Sequence, residues 1–286
     1  MKSQETGWLN REQIIQIGGL LVAAILTQII YSTVIRPRAR VVEEANQAAA
    51  EADSESGYVP ERSIFIILRD EEQQVCFTLL LWAMIMIGYK LRQVGLERRL
   101  LDHEFLHLET GERIIPQEAL VHAKHIESEL SIDPARSIRF LPRLILASLR
   151  RLQATESIRE VSVSVQELAE SESERMDSDL SLIRYIAWAI PSVGFIGTVR
   201  GIGEALSQAD QAIKGNIHGV TSSLGLAFNS TLVALLLSIV LMYLIHWLQS
   251  QEEHLILDVK DYCRENLIAL MKIPLSVASS AGGTSR

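Results

Sequence analysis

Four long apolar stretches alternate with charged segments along the chain, and this pattern predicts four membrane-spanning helices. A helix needs about 20 mostly apolar residues to cross the hydrocarbon core of a bilayer. The third stretch is the shortest, because Arg184 and Arg200 flank it, but both side chains can reach the membrane interface and Gly201–Gly203 can extend the helix. The predicted spans are residues 14–35, 73–89, 185–203 and 222–248.

The distribution of basic residues predicts the orientation of these spans. Residues 90–184 are rich in Lys and Arg, and four basic residues follow the second span closely, so this segment is expected in the cytoplasm. Three arginines follow the first span and favour the opposite orientation, but the four basic residues after the second span outnumber them. Both termini are then expected in the cytoplasm, with residues 1–13 as the N-terminal segment. Residues 36–72 and 204–221 are expected to form extracytoplasmic loops.

The segments outside the predicted spans carry helical patterns. Gly111, Pro116, Pro134 and Pro142 divide residues 90–184 into helices. Apolar residues recur at helical spacing in residues 249–275, whereas residues 276–286 are small and polar and are expected to be disordered. The predicted fold is an all-α integral membrane protein with four transmembrane helices and a helical cytoplasmic domain between the second and third spans.

Composition adds two restrictions. The chain has 286 residues and a formal net charge of -8, which disfavours a nucleic-acid-binding role. Its two cysteines, Cys76 and Cys263, fall in different predicted compartments, so no disulfide is expected.

Small and hydroxyl-bearing residues form a face on each of the last two spans. Steps of three and four place the members of each set on one side of a helix. Such faces allow close packing of helices in a membrane, and their hydroxyls could also line an ion path. The members are Pro191, Gly194, Gly197, Thr198 and Gly201 in the third span, and Ser223, Ala227, Ser230, Thr231, Ala234 and Ser238 in the fourth.

No Asp, Glu or Lys occurs inside any predicted span, and Arg200, near the outer edge of the third, is interpreted as an interface anchor. Proton or ion movement across a bilayer normally uses an ionisable group within it. A conducting protein of this sequence would therefore need a partner that supplies the carboxylate.

The spacing Pro191-x-x-Gly194-x-x-Gly197-Thr198-Val199-x-Gly201 resembles the signature of the MotA/TolQ/ExbB proton channel family. The later Leu226-Ala227-x-x-Ser230-Thr231 is similar to the pattern that opens the last span of that family. The chain departs from the family at Ala234, where many members have Gly, and at Arg200, where several have Trp.

The resemblance implies a function and a set of partners. It implies a homopentameric ring around two copies of a single-span MotB/TolR/ExbD-like protein, in the bacterial inner membrane. The partner's membrane Asp would carry protons, or sodium ions, past an ion path of Thr198, Thr231, Ser230 and Ser223, and the flow would drive rotation or force. Pro191, Gly194, Gly197, Gly201, Ala227 and Ala234 would pack the pore helices. No cofactor is implied, and the load stays open.

His103-Glu104-Phe105-Leu106-His107 is an HExxH motif, which supports an alternative. On a helix its two histidines can bind zinc while the glutamate acts as general base, and membrane zinc proteases resembling the HtpX family carry such a motif. A third ligand is required, for which Glu253 and Asp258 are candidates. A membrane scaffold without ion flow is a third hypothesis.

Overall fold

The computed structural model describes residues 11–52, 63–103, 105–106, 113–132, 139–215 and 217–273. The described chain is built of helices, and its one β contact is an isolated parallel bridge between Ile114 and Met271. Within the described residues, four helices are long and apolar enough to cross a membrane: Gln13–Asn46, Glu71–Leu101, Ile158–Ser207 and Gly219–Leu270. The predicted all-α fold with four candidate membrane helices is confirmed.

The described residues form ten α-helices, numbered in chain order. They are α1 (Arg11–Ile30), α2 (Arg36–Ala52), α3 (Ile64–Ile67), α4 (Glu71–Leu101), α5 (Pro116–Ile132), α6 (Phe140–Thr155), α7 (Ile158–Asp179), α8 (Ser181–Ser207), α9 (Ala209–Ile213) and α10 (His218–Asn266). A π-helical turn, Tyr31–Ile35, joins α1 to α2, and a 3-10 turn, Ile268–Leu270, follows α10.

The chain divides into two compact units. The first comprises Met1–Tyr89 and Ser181–His246, and the second comprises Lys90–Leu180 and Trp247–Arg286. Cys76 belongs to the first unit and Cys263 to the second, and both are free thiols. The sides of the membrane on which the termini and loops lie stay predictions.

The first helix of the first unit continues without a break from α1 through the π turn into α2. Its buried positions recur every fourth residue: Ala23, Thr27, Tyr31, Ile35 and Ala39. An α-helix has 3.6 residues per turn, so residues spaced four apart would shift gradually from one side of the helix to another. The wider π turn takes up part of that drift.

The second unit has its own apolar core. Apolar residues recur at helical spacing along α6, and the structure buries this face: Leu141, Leu144, Ile145, Leu149 and Leu152 are all fully buried. They pack in one cluster with apolar residues of α5, α7 and the last part of α10. This unit folds around hydrophobic burial, the dominant favourable term in folding.

Candidate functional site

The two small-residue faces pack directly against each other in the first unit. A β-carbon added to Gly194 would collide with the β-carbon of Ala234. A β-carbon on Gly197 would lie 2.7 Å from Ser230 Cβ, and one on Gly201 would lie 2.8 Å from Ala227 Cβ. We call this contact of α8 with α10 the glycine seam; it exists because these three positions carry no side chain.

Thr198 and Thr231 meet across the glycine seam, where their hydroxyls are hydrogen-bonded to each other. The Thr198 hydroxyl also lies 3.0 Å from the carbonyl oxygen of Ala227 on the other helix. The Thr231 hydroxyl lies 3.2 Å from the carbonyl oxygen of Gly194. Both side chains are half-buried, so the pair forms a group of oxygen atoms within an apolar helix pair. Such a group can bind water, a proton or a cation.

The other two predicted path residues have different partners. Ser230 is 2% exposed, donates to the Leu226 carbonyl oxygen at 3.1 Å and accepts from Gln73 Nε2 at 3.4 Å. The Ser223 hydroxyl accepts from Gln208 Nε2 at 3.3 Å. The structure therefore brings Thr198 and Thr231 together. It links Ser230 to α4 through Gln73, and it links Ser223 to Gln208, the residue between α8 and α9.

Pro191 lies inside α8 and has no N–H, so the carbonyl of Ala187 loses the donor that an α-helix would supply. The hydroxyl of Ser238 donates to this carbonyl oxygen at 3.0 Å. A backbone carbonyl in a membrane must be satisfied within the protein. Ser238 of α10 thus compensates for the proline of α8.

A polar cluster at the start of α4 was missed by the sequence analysis. Glu72 is 9% exposed, and its carboxylate pairs with the guanidinium of Arg200 at 2.9 Å. Gln73 is 1% exposed and bonds to Ser230. The interpretation of Arg200 as an interface anchor is therefore incomplete, because Arg200 is also the ion-pair partner of a buried carboxylate. The spacing of Glu72, Gln73 and Cys76 on one helical face was the available signal.

Asp70 directly precedes this cluster. Its side chain is buried, and burial raises the pKa of its carboxyl to about 6. The Arg69 guanidinium lowers this pKa, the Glu72 carboxylate raises it and the Arg200 guanidinium lowers it, each by a smaller amount than burial does. Asp70 can therefore exchange a proton near neutral pH.

The HExxH motif gives no support for zinc binding in the described part of the chain. Glu104 and His107 lie outside the described residues. The first histidine, His103, places Nε2 3.5 Å from Glu129 Oε1. The candidate third ligand Asp258 lies 4.0 Å from Arg98 Nε. Among the residues that are described, no group of three or more His, Cys, Asp or Glu could hold a metal ion.

The glycine seam lies within the part of the chain that is similar to a known protein family. A family model, described as the MotA/TolQ/ExbB proton channel family, matches residues 137–261, which run from just before α6 into the last part of α10. Neither the curated proteins nor the solved structures gave a match. With four helices able to cross a membrane, the family match indicates a multi-pass membrane protein. The resemblance seen in the sequence is confirmed: residues 137–261 match the model of the MotA/TolQ/ExbB proton channel family.

Proposed function

We propose that this chain is the ring subunit of an ion-driven motor complex in the bacterial inner membrane. The observation that carries the proposal is the hydroxyl pair of Thr198 and Thr231, which spans the glycine seam within the segment that matches a proton channel family. A pair of hydroxyls can orient water and pass a proton, but it cannot hold charge by itself. The ring therefore needs an ionisable partner.

The partner that fits this need is a single-span protein of the MotB/TolR/ExbD type with an aspartate in its membrane helix. Its carboxylate would be neutralised by the transported ion while it passes the threonines, since an unpaired charge in a bilayer is costly. The family precedent supports a homopentamer around two such helices, with both termini of the ring subunit in the cytoplasm. Ion flow would be converted into rotation or force.

Native mass spectrometry of the complex, purified with the product of the neighbouring gene, tests the assembly. We expect five copies of this chain and two partner chains. A monomer that carries one zinc ion per chain would contradict the proposal and favour the HExxH protease. A lone oligomer without any partner would favour the scaffold.

Proton flux into vesicles that contain the complex tests the path. We expect Thr198→Val and Thr231→Val to assemble normally and to abolish flux, whereas Thr198→Ser keeps a hydroxyl and keeps flux. Thr78→Val is the matched control, because the Thr78 hydroxyl bonds only to its own helix, at the Gln74 carbonyl oxygen. Normal flux in both valine variants would show that the path lies elsewhere.

A further inference from the structure

A cavity of about 400 Å³ lies in the first unit beside the polar cluster of α4. Asp70 lines it together with Glu43, Glu71 and four arginines. The arginines come from three parts of the unit that are distant in sequence: Arg36, Arg40, Arg69 and Arg200. The cavity therefore combines one buried acid with a largely cationic lining.

Asp70 is the member of this lining that is free to take up a proton. It is 9% exposed, and its Oδ2 has no hydrogen-bond partner within the described residues. The Arg69 guanidinium lies 4.0 Å from Asp70 Oδ1 and also pairs with Glu43, and the Arg200 guanidinium pairs with Glu72. A buried carboxylate with one oxygen left without a hydrogen-bond partner is stabilised by protonation.

Hydrogen bonds connect Asp70 to the glycine seam. The Asp70 backbone N–H donates to Gln73 Oε1 at 2.9 Å, and Gln73 Nε2 donates to Ser230 Oγ at 3.4 Å. Glu72, next in the chain to Gln73, packs where the absence of a side chain at Gly197 leaves room, with its Cγ 3.1 Å from the position of a β-carbon there. Gln73 is thus hydrogen-bonded both to the Asp70 backbone and to Ser230, so the cavity lies next to the seam.

The lining discriminates between a proton and a metal cation. A hard metal cation needs several oxygen ligands at once. Here the carboxylates of the lining are Glu43, Asp70 and Glu71, of which Glu43 is paired with Arg69, and the four guanidiniums of the lining would repel the cation. A proton needs only one oxygen, and it neutralises the carboxylate that receives it.

We propose that Asp70 is the proton-loading group at one end of the ion path, in a cavity whose arginines exclude sodium. A proton from water in the cavity binds Asp70 Oδ2, the carboxyl becomes neutral, and the proton is later released toward the seam and the carboxylate of the partner. The inference rests on the proposed function and adds the identity of the ion and its point of entry.

The titration of Asp70 agrees with this role, since burial raises its pKa to about 6. Charged, titratable and hydrogen-bonding groups surround it on each neighbouring element: Tyr31 of the π turn, Arg36, Arg40 and Glu43 of α2, Arg69 beside it, Glu71, Glu72 and Gln73 of α4, and Arg200 of α8. The carboxyl therefore changes charge within the pH range in which a proton-driven machine operates.

The test measures proton and sodium fluxes in vesicles that contain the ring and its partner, with a trapped pH dye and radioactive sodium as probes. We expect wild-type vesicles to carry protons and to carry sodium only at the background of empty vesicles. Asp70→Asn should lower proton flux by on the order of tenfold or more and remove its pH dependence near pH 6. Asp70→Glu, which keeps a carboxyl, should retain flux. Retained flux in this variant would show that the position tolerates substitution without loss of folding. Glu44→Gln, an exposed acid of α2 that does not line the cavity, is the matched control and should behave as wild type.

The outcomes separate the two proposals. If wild-type vesicles carry no ion, the proposed function fails and this inference fails with it. If they carry protons and Asp70→Asn, assembled in the same ring, carries them equally with the same pH dependence, only the assignment of Asp70 is overturned. Sodium flux comparable to proton flux in the wild type would overturn the exclusion by arginines.

Discussion

The backbone of Gly201 lies so close to Ala227 that a β-carbon on Gly201 would come within 2.8 Å of the alanine's own β-carbon. The same β-carbon would lie 2.9 Å from the carbonyl oxygen of Ser223. Because backbone atoms block the position, no rotation of a neighbouring side chain can make room.

Gly201→Ala is therefore expected to destabilise the first unit by about 1–3 kcal/mol, the usual cost of overpacking. Gly203→Ala, two residues later in α8, meets nothing within 4 Å and is the matched control. Its added methyl group should be neutral or stabilise the helix by up to about 1 kcal/mol. Thermal unfolding in detergent measures both, and equal melting temperatures for the two variants would refute the close approach.

The bond from Ser238 to the Ala187 carbonyl predicts a coupling between Ser238 and Pro191. Ser238→Ala should cost about 1–3 kcal/mol, because it leaves a buried carbonyl without a donor. In a Pro191→Ala background residue 191 regains its N–H, so the same change should cost much less. A double-mutant cycle of unfolding free energies measures this coupling. Additive effects would mean that the hydroxyl does not replace the missing N–H.

Glu72 and Arg200 form an ion pair in which the acid is buried and the base is partly exposed, with 11% and 42% of their side chains accessible. Arg200→Gln leaves the carboxylate buried without its partner, so it should destabilise the unit by about 3 kcal/mol. Arg200→Gln combined with Glu72→Gln removes both charges and should be considerably milder. Chemical unfolding measures the free energy of unfolding of the single and double variants. A double variant as unstable as Arg200→Gln alone would contradict the pairing.

The raised pKa of Asp70 predicts how stability depends on pH. Its pKa rises from the ordinary 3.8 to about 6 in the folded protein, so the folded state binds the proton more tightly than the unfolded state does. The stabilisation is complete below about pH 4 and is lost as the pH rises through about 6, a change of roughly 3 kcal/mol. Asp70→Asn should lack this dependence. Unfolding curves of both proteins between these pH values measure the difference, and parallel curves would exclude a perturbed Asp70.

The sequence predicted the membrane helices and both faces of the glycine seam, because long apolar windows and steps of three and four survive in the linear pattern. It did not predict which residue of one face lies opposite which residue of the other. The pairing of Gly197 with Ser230 depends on how α8 and α10 cross, and no local pattern contains that information.

The burial of Glu72 was missed for a related reason. In a sequence, an acid at the edge of an apolar window predicts an exposed residue at the membrane interface. Its surroundings come from residues more than a hundred positions away, namely the bare backbone of Gly197 and the guanidinium of Arg200. That a partner supplies a carboxylate within the membrane stays a prediction, whereas the chain places an acid of its own, Glu72, beside the seam.

The π turn at Tyr31–Ile35 has a consequence for the arginines that follow it. Each residue of an α-helix advances the chain by about 100° around the helix axis. If the same five residues wound as a regular α-helix, they would turn Arg36 and Arg40 to another side of the helix, away from the cavity that contains Asp70. The winding of this turn therefore sets the direction in which Arg36 and Arg40 face.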